Sequence, residues 1–162
     1  MHAPINHDLA AIATNHLATP LSSTHGALHG RRVLILDDDP LAGVIASLDL
    51  EDASAPFVLV HDEASAHAAL DRSIENGELF DAAVLDVNLG AGRTSRTVAE
   101  RLHAMGVPFV LHTAEPDALP DSPSRGPKVR TSTNRTDAPI IGKPAPAGAL
   151  AHALEVLVAP GR

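Results

Sequence analysis

A chain of 162 residues is long enough for one domain with a substantial core, and its formal net charge of −8 argues against a nucleic-acid surface, which needs clustered Lys and Arg. The absence of cysteine excludes disulfides, thiolate nucleophiles and cysteine-based zinc sites. No stretch approaches the roughly 20 apolar residues that span a bilayer, and the first Arg is Arg31, unlike the basic start of a signal peptide, so a cytoplasmic protein without membrane contact is expected.

Residues 1–30 stand apart as an N-terminal extension, flexible or docked on a partner, and residues 31–162 form the domain proper. The extension holds half of the ten histidines and no Lys or Arg. Asp8 could cap a short helix in which Leu9, Ile12, His16 and Leu17 follow helical spacing loosely. A helix of about three turns is marginal alone, so it would need a surface to rest on.

From Arg32 onward strand and helix patterns alternate. Val33 to Leu36 is the first strand. Pro40 to about Glu51 is the first helix, with Leu41, Val44, Ile45 and Leu48 as its inner stripe. Phe57 to Val60 is the second strand, and Glu63 to about Asn76 the second helix, with Ala64, Ala68, Leu70 and Ile74 available for packing. Ala82 to Val87 is the third strand, followed by a flexible Gly90-Ala91-Gly92 loop. Ser95 to about Met105 is the third helix, with Val98, Ala99 and Leu102 inward. Phe109 to His112 is the fourth strand and Ile140 to Gly142 the fifth. Pro146 opens a last helix carrying Leu150, Leu154, Val156 and Leu157.

The connection from Thr113 to Lys143 breaks this rhythm. Pro116, Pro120, Pro123 and Pro127 disfavour a full helix there, leaving at most a short turn around Asp117 to Leu119. The basic stretch Arg125 to Arg135 carries no interleaved aromatic and reads as a loop with solvated charges.

Four of the strands end at polar groups: Asp37, Asp38 and Asp39 after the first, Asp86 at the third, Thr113 at the fourth and Lys143 at the fifth. In an open parallel sheet, ligands bind beyond the carboxyl ends of the strands where the strand order reverses. The acids after strands one and three meet only if those strands are neighbours, as in the order 2-1-3-4-5. Crowded carboxylates repel unless a cation joins them, and an oxygen-only donor set favours Mg²⁺, with Mn²⁺ as the alternative ion. Asp39 reads as the N-cap of the first helix instead. Asp86, at a strand end before the glycine loop, is the candidate phosphoryl acceptor. Asp37, Asp38, Asp86 and the main-chain carbonyl of Asn88 would hold the metal, with Thr113 and Lys143 on the remaining phosphoryl oxygens.

Asp37-Asp38, Asp86, Thr113 and Lys143-Pro144 resemble the motif residues of the response-regulator receiver family, over about residues 31–159. The resemblance implies a flavodoxin-like, doubly wound, five-stranded parallel sheet of α/β class with strand order 2-1-3-4-5, here with an atypical or missing fourth helix. It also implies that a sensor histidine kinase or histidine phosphotransfer protein donates a phosphoryl group to Asp86 with Mg²⁺, in a stand-alone receiver that signals by protein contact or serves as a phosphate shuttle or sink. No independent enzyme is expected beyond self-catalysed aspartyl phosphorylation and dephosphorylation, and pairing into a homodimer is a further expectation. Ile140 stands where many receivers keep Tyr or Phe, Gly90 where proline is frequent and Thr94 where glycine is common.

Two other readings compete. A phosphorylation-independent pseudo-receiver would bind a partner through the altered 114–138 region and the extension. The D-x-D spacing of Asp37 and Asp39 is similar to that of haloacid-dehalogenase-type phosphohydrolases, but Pro40 and Leu41 follow where Gly and Thr or Val are usual. The scattered histidines offer no ligand pair on one helix face, and His112 could face the sheet surface or sense pH near the site.

Overall fold

Short runs of Val, Leu, Ile and Ala become strands here because they are covered on both faces, which lets every residue of a run be apolar. In the computed structural model, which describes residues 26–116 and 138–159, the elements follow one another as β1 (Val33–Leu36), α1 (Pro40–Asp52), β2 (Phe57–Val60), α2 (Glu63–Glu75), β3 (Ala82–Asp86), α3 (Arg96–Ala104), β4 (Phe109–Thr113), β5 (Ile140–Gly142) and α4 (Ala149–Val158). The five strands are all parallel, in the order β2-β1-β3-β4-β5. Both the α/β class and the doubly wound topology expected from the sequence are therefore present.

The period of two along each strand sorts side chains into two cores. Leu34, Leu36, Ala83, Leu85, Phe109 and Leu111 meet Ala66, Leu70, Val98 and Leu102 of α2 and α3. Val33, Ile35, Ala82, Val84 and Val110 meet Ala46 and Leu50 of α1 and Leu150 and Leu154 of α4. Leu28, which lies within the 1–30 segment, is fully buried in this second core.

The inner face of α1 differs from the expected one. Leu41, Val44, Ile45 and Leu48 are exposed, at 67%, 49%, 49% and 51%, whereas Gly43, Ala46, Ser47 and Leu50 are buried. The helix is apolar almost all round, so periodicity could not choose its face, and close approach to the sheet decided it. A Cβ on Gly43 would stand 2.8 Å from Leu59 Cδ1, leaving room for small residues only. In α2 the buried set is Ala66, Ala69, Leu70 and Ser73, while Ile74 and Ala64 turn outward. Val98 and Leu102 of α3 and Leu150 and Leu154 of α4 are buried as expected, with Val156 exposed.

Caps fix where the helices begin. Asp39 accepts the N–H groups of Leu41 (2.9 Å) and Ala42 (3.4 Å), as its position before Pro40 implied. Asp62 does the same for α2 through Ser65 N–H at 2.8 Å. The Asp49 carboxylate of α1 accepts Gly148 N–H at 2.9 Å and Leu150 N–H at 3.3 Å, tying α1 to the start of α4. The expected Asp8 helix, the short turn around Asp117 to Leu119, the basic stretch Arg125 to Arg135 and the atypical fourth helix lie outside the described residues.

Candidate functional site

β1 sits between β2 and β3, so the chain leaves it in one direction and returns on its other side. At that reversal the turns after β1 and β3 open a crevice at the carboxyl ends of the strands. The register pairs Leu36 with Leu85, which brings the residue after each, Asp37 and Asp86, to the same level of the sheet. β4 and β5 deliver Thr113 beside Gly142, the residue before Lys143.

The side chains meet there as the sequence order implied. Carboxylate oxygens of Asp37, Asp38 and Asp86 lie within 4.8 Å of one another. Lys143 Nζ stands 2.7 Å from Asp37 Oδ2 and 2.7 Å from Asp86 Oδ2, bridging the two most buried acids. The Asp86 carboxylate is held at both ends, since its Oδ1 accepts the Asn88 N–H at 3.1 Å. Asn88 thus has its main chain beside the cluster and is paired with Thr94 in an antiparallel bridge. Thr113 is 1% exposed, and its hydroxyl oxygen accepts the Glu115 N–H at 3.2 Å.

Burial pushes the Asp37 carboxyl above its ordinary range, even though the Lys143 ammonium draws it down. Burial works against the charge on Lys143 as well, but its hydrogen bonds and attraction to Asp37 and Asp86 prevail and raise its pKa. Three carboxylates and one ammonium leave a net negative site that a divalent cation would balance. The donors are all oxygen, close enough to share an ion, and Asp38 is the most open of the three acids, leaving a route in from solvent. The residues present therefore fit Mg²⁺ or Mn²⁺.

The glycine loop is shaped by this cluster. Gly90 has a φ of 65°, and a Cβ there would come 2.9 Å from Asp38 Oδ2, so glycine serves both the turn and the close approach. Ala91 at 49° and Gly92 at 73° continue the same left-handed course.

His112 lies just below the site. It is 3% exposed, its Nδ1 is 3.9 Å from Asp37 Oδ2, and neither ring nitrogen has a hydrogen-bond partner among the described residues. Burial, reinforced by the charge of Lys143, lowers its pKa to about 4 against the smaller pull of Asp86 and Asp49, so the ring is neutral at pH 7.

Sequence reasoning missed His61, whose Nδ1 is 2.9 Å from the Asp37 carbonyl oxygen and steadies the turn that carries Asp37. The strand order contains the signal for it. Leu36 pairs with Val60, so the residue after β2 must stand beside the residue after β1.

No family model matches the sequence, and no curated protein matches it. Solved structures do match. SdrG from Sphingomonas melonis Fr1 is 34% identical, with 82% of this chain and 98% of that one covered and a TM-score of 0.59. A response regulator receiver protein from Sinorhizobium medicae WSM419 is 22% identical, covering 81% of this chain and 96% of its own, with a TM-score of 0.60. The response regulator PhyR from Brucella abortus is 18% identical over 83% of this chain with a TM-score of 0.58, and the match covers 49% of PhyR, so this chain spans about half its length.

Proposed function

The chain belongs to the response-regulator receiver family, and from that premise we propose that Asp86 is a phosphoryl acceptor for a phosphohistidine donor. The observation that carries this reading is the Lys143 ammonium, 2.7 Å from both Asp37 and Asp86 at the carboxyl ends of the strands. In the proposed reaction an Asp86 carboxylate oxygen attacks phosphorus, a P–O bond forms, the P–N bond to the donor imidazole breaks, and the imidazole leaves with the electron pair. The Asn88 N–H and the Lys143 ammonium orient the carboxylate for that attack. Lys143 then meets the charge on the transferred phosphoryl oxygens, and the Thr113 hydroxyl, which uses its oxygen to accept Glu115 N–H, has its proton to donate to another.

Asp37, Asp38, Asp86 and the Asn88 carbonyl are the proposed ligands of Mg²⁺, with Mn²⁺ as the alternative. When bound, the ion neutralises the crowded carboxylates and the phosphoryl oxygens. The proposed donors are a sensor histidine kinase or a histidine phosphotransfer protein, met in the cytoplasm, with the phosphorylated form acting through protein contacts or as a phosphate shuttle or sink. Among the described residues no helix is long and apolar enough to cross a membrane.

Intact-mass spectrometry after incubation with acetyl phosphate tests the chemistry without a protein partner. The parent gains one phosphoryl group only with Mg²⁺ or Mn²⁺, and Asp86→Asn gains none. A parent that gains nothing under either ion would replace this reading with that of a pseudo-receiver, a phosphorylation-independent binding module.

A further inference from the structure

β4 carries a histidine where the packing around it is apolar. Val110 of β4 and Ile35 of β1 lie in the core under α1 and α4, and two residues further along the chain from each stand His112 and Asp37. His112 is also beside Asp86 in the register of β3 and β4. The ring is 3% exposed, and neither Nδ1 nor Nε2 has a hydrogen-bond partner among the described residues. Polar atoms left unsatisfied at such depth cost stability, so a residue that merely filled this position would be apolar.

The ring stands next to an oxygen that already has a donor. His112 Nδ1 is 3.9 Å from Asp37 Oδ2, and Lys143 Nζ is 2.7 Å from that same oxygen. The other oxygen of Asp37 accepts the Asp39 N–H at 3.2 Å, within the turn. Lys143 is thus what holds the Oδ2 end of this buried carboxylate, and it is shared with Asp86.

We propose that His112 is a positioning residue for the ion site: when Lys143 leaves Asp37 Oδ2, the imidazole N–H takes over that oxygen and keeps the carboxylate in place. This role rests on Asp37 being an ion ligand, as proposed above. A divalent ion among the three acids repels the ammonium, and a phosphoryl group on Asp86 attracts it, so either event draws Lys143 away from Oδ2. The neutral imidazole carries one N–H, and in the tautomer with that proton on Nδ1 a closing movement of about 1 Å turns the 3.9 Å separation into a hydrogen bond. No change of protonation is involved. Hydrogen bonds to ligating carboxylates are the ordinary means by which a protein fixes them for a metal.

Mn²⁺ binding to the full chain at pH 7, followed by loss of the free-ion electron paramagnetic resonance signal, tests this in the parent, His112→Leu and His112→Asn. Both replacements put an atom where Nδ1 stands, a methyl in Leu and an N–H in Asn. His112→Leu is expected to weaken binding by at least about 10-fold and His112→Asn to stay within about 3-fold of the parent, on the scale usual for losing or keeping a partner of a metal ligand. A core-filling role predicts the reverse order, because Leu suits an apolar surrounding better than Asn. Urea unfolding without ions at pH 7 reads that role separately, and there His112→Leu should be no less stable than the parent. Equal affinities for the parent and His112→Leu, or equal losses in both variants, would overturn the role of His112 and leave the ion site standing. A parent that binds no Mn²⁺ would overturn the ion site and this role together.

Discussion

Lys143 lies between two buried carboxylates whose mutual repulsion it offsets, so its charge matters to folding as well as to chemistry. Replacing it by Met leaves Asp37 and Asp86 facing each other without a cation. At neutral pH and without divalent ions the Lys143→Met protein should be less stable by about 3 kcal/mol, and Mg²⁺ should restore part of the loss; urea unfolding with and without the ion measures both. An undiminished stability would mean that the bridge contributes nothing net. His112 makes a prediction of pH dependence. The unfolded chain takes up this proton near pH 6.5, the native one only near 4, so stability present above 6.5 is lost as the pH falls through that window. A shift of this size corresponds to on the order of 3 kcal/mol. Asp37, whose pKa burial raises, acts in the opposite sense, favouring the native state at low pH and losing that contribution as pH rises. Comparing the parent with His112→Leu cancels the Asp37 effect: the stability gap between pH 7 and pH 4.5 should be smaller in the variant, as read by denaturant midpoints. The five motif residues were legible in the sequence because each sits at the end of a hydrophobic run. His61 was missed although the expected order already set the residue after β2 beside the residue after β1, because it follows its strand without belonging to the acidic and phosphoryl-binding pattern.

At the scale of elements, strand positions were easy to read and helix faces were not. Runs such as Val33–Leu36 and Ala82–Asp86 are buried on both sides, so no choice of face is involved and their bounds follow from composition. α1 offered apolar residues in every direction, and its orientation was set by contact with Leu59, which only the folded sheet supplies. The consequence is specific. Gly43→Val should cost about 1–3 kcal/mol by overpacking against β2, and urea unfolding would show it. A neutral Gly43→Val would mean that α1 can lift from the sheet without penalty. The clamp between α1 and α4 is another relation invisible in the one-dimensional pattern, since Asp49 and Gly148 are 99 residues apart. Asp49→Ala should lower stability by about 1 kcal/mol, the usual cost of losing a side-chain cap, with the loss read from the thermal midpoint.

At the scale of the whole molecule, the topology was recoverable because the chemistry demanded it: acids after the first and third strands can share an ion only when those strands adjoin, and the sheet has that order. The same order places the fourth and fifth strands so that Thr113 and Lys143 close the site from one side. The apolar stripe on α1 was legible but its outward direction was not, because it became an outer surface only once small residues had taken the inner one. What the fold assembles is a net acidic pocket with one nucleophilic candidate held at both oxygens, one ammonium and one buried hydroxyl.

The measurement that tests this most directly is identification of the modified residue. The protein is treated with a phosphodonor and Mg²⁺, reduced with borohydride to convert an aspartyl phosphate to homoserine, digested and sequenced by tandem mass spectrometry. The account predicts homoserine at position 86 and nowhere else, with none formed when the donor is omitted. Homoserine at Asp37 or Asp38 would contradict the assignment, and its absence throughout the chain would contradict the proposed phosphoacceptor role itself.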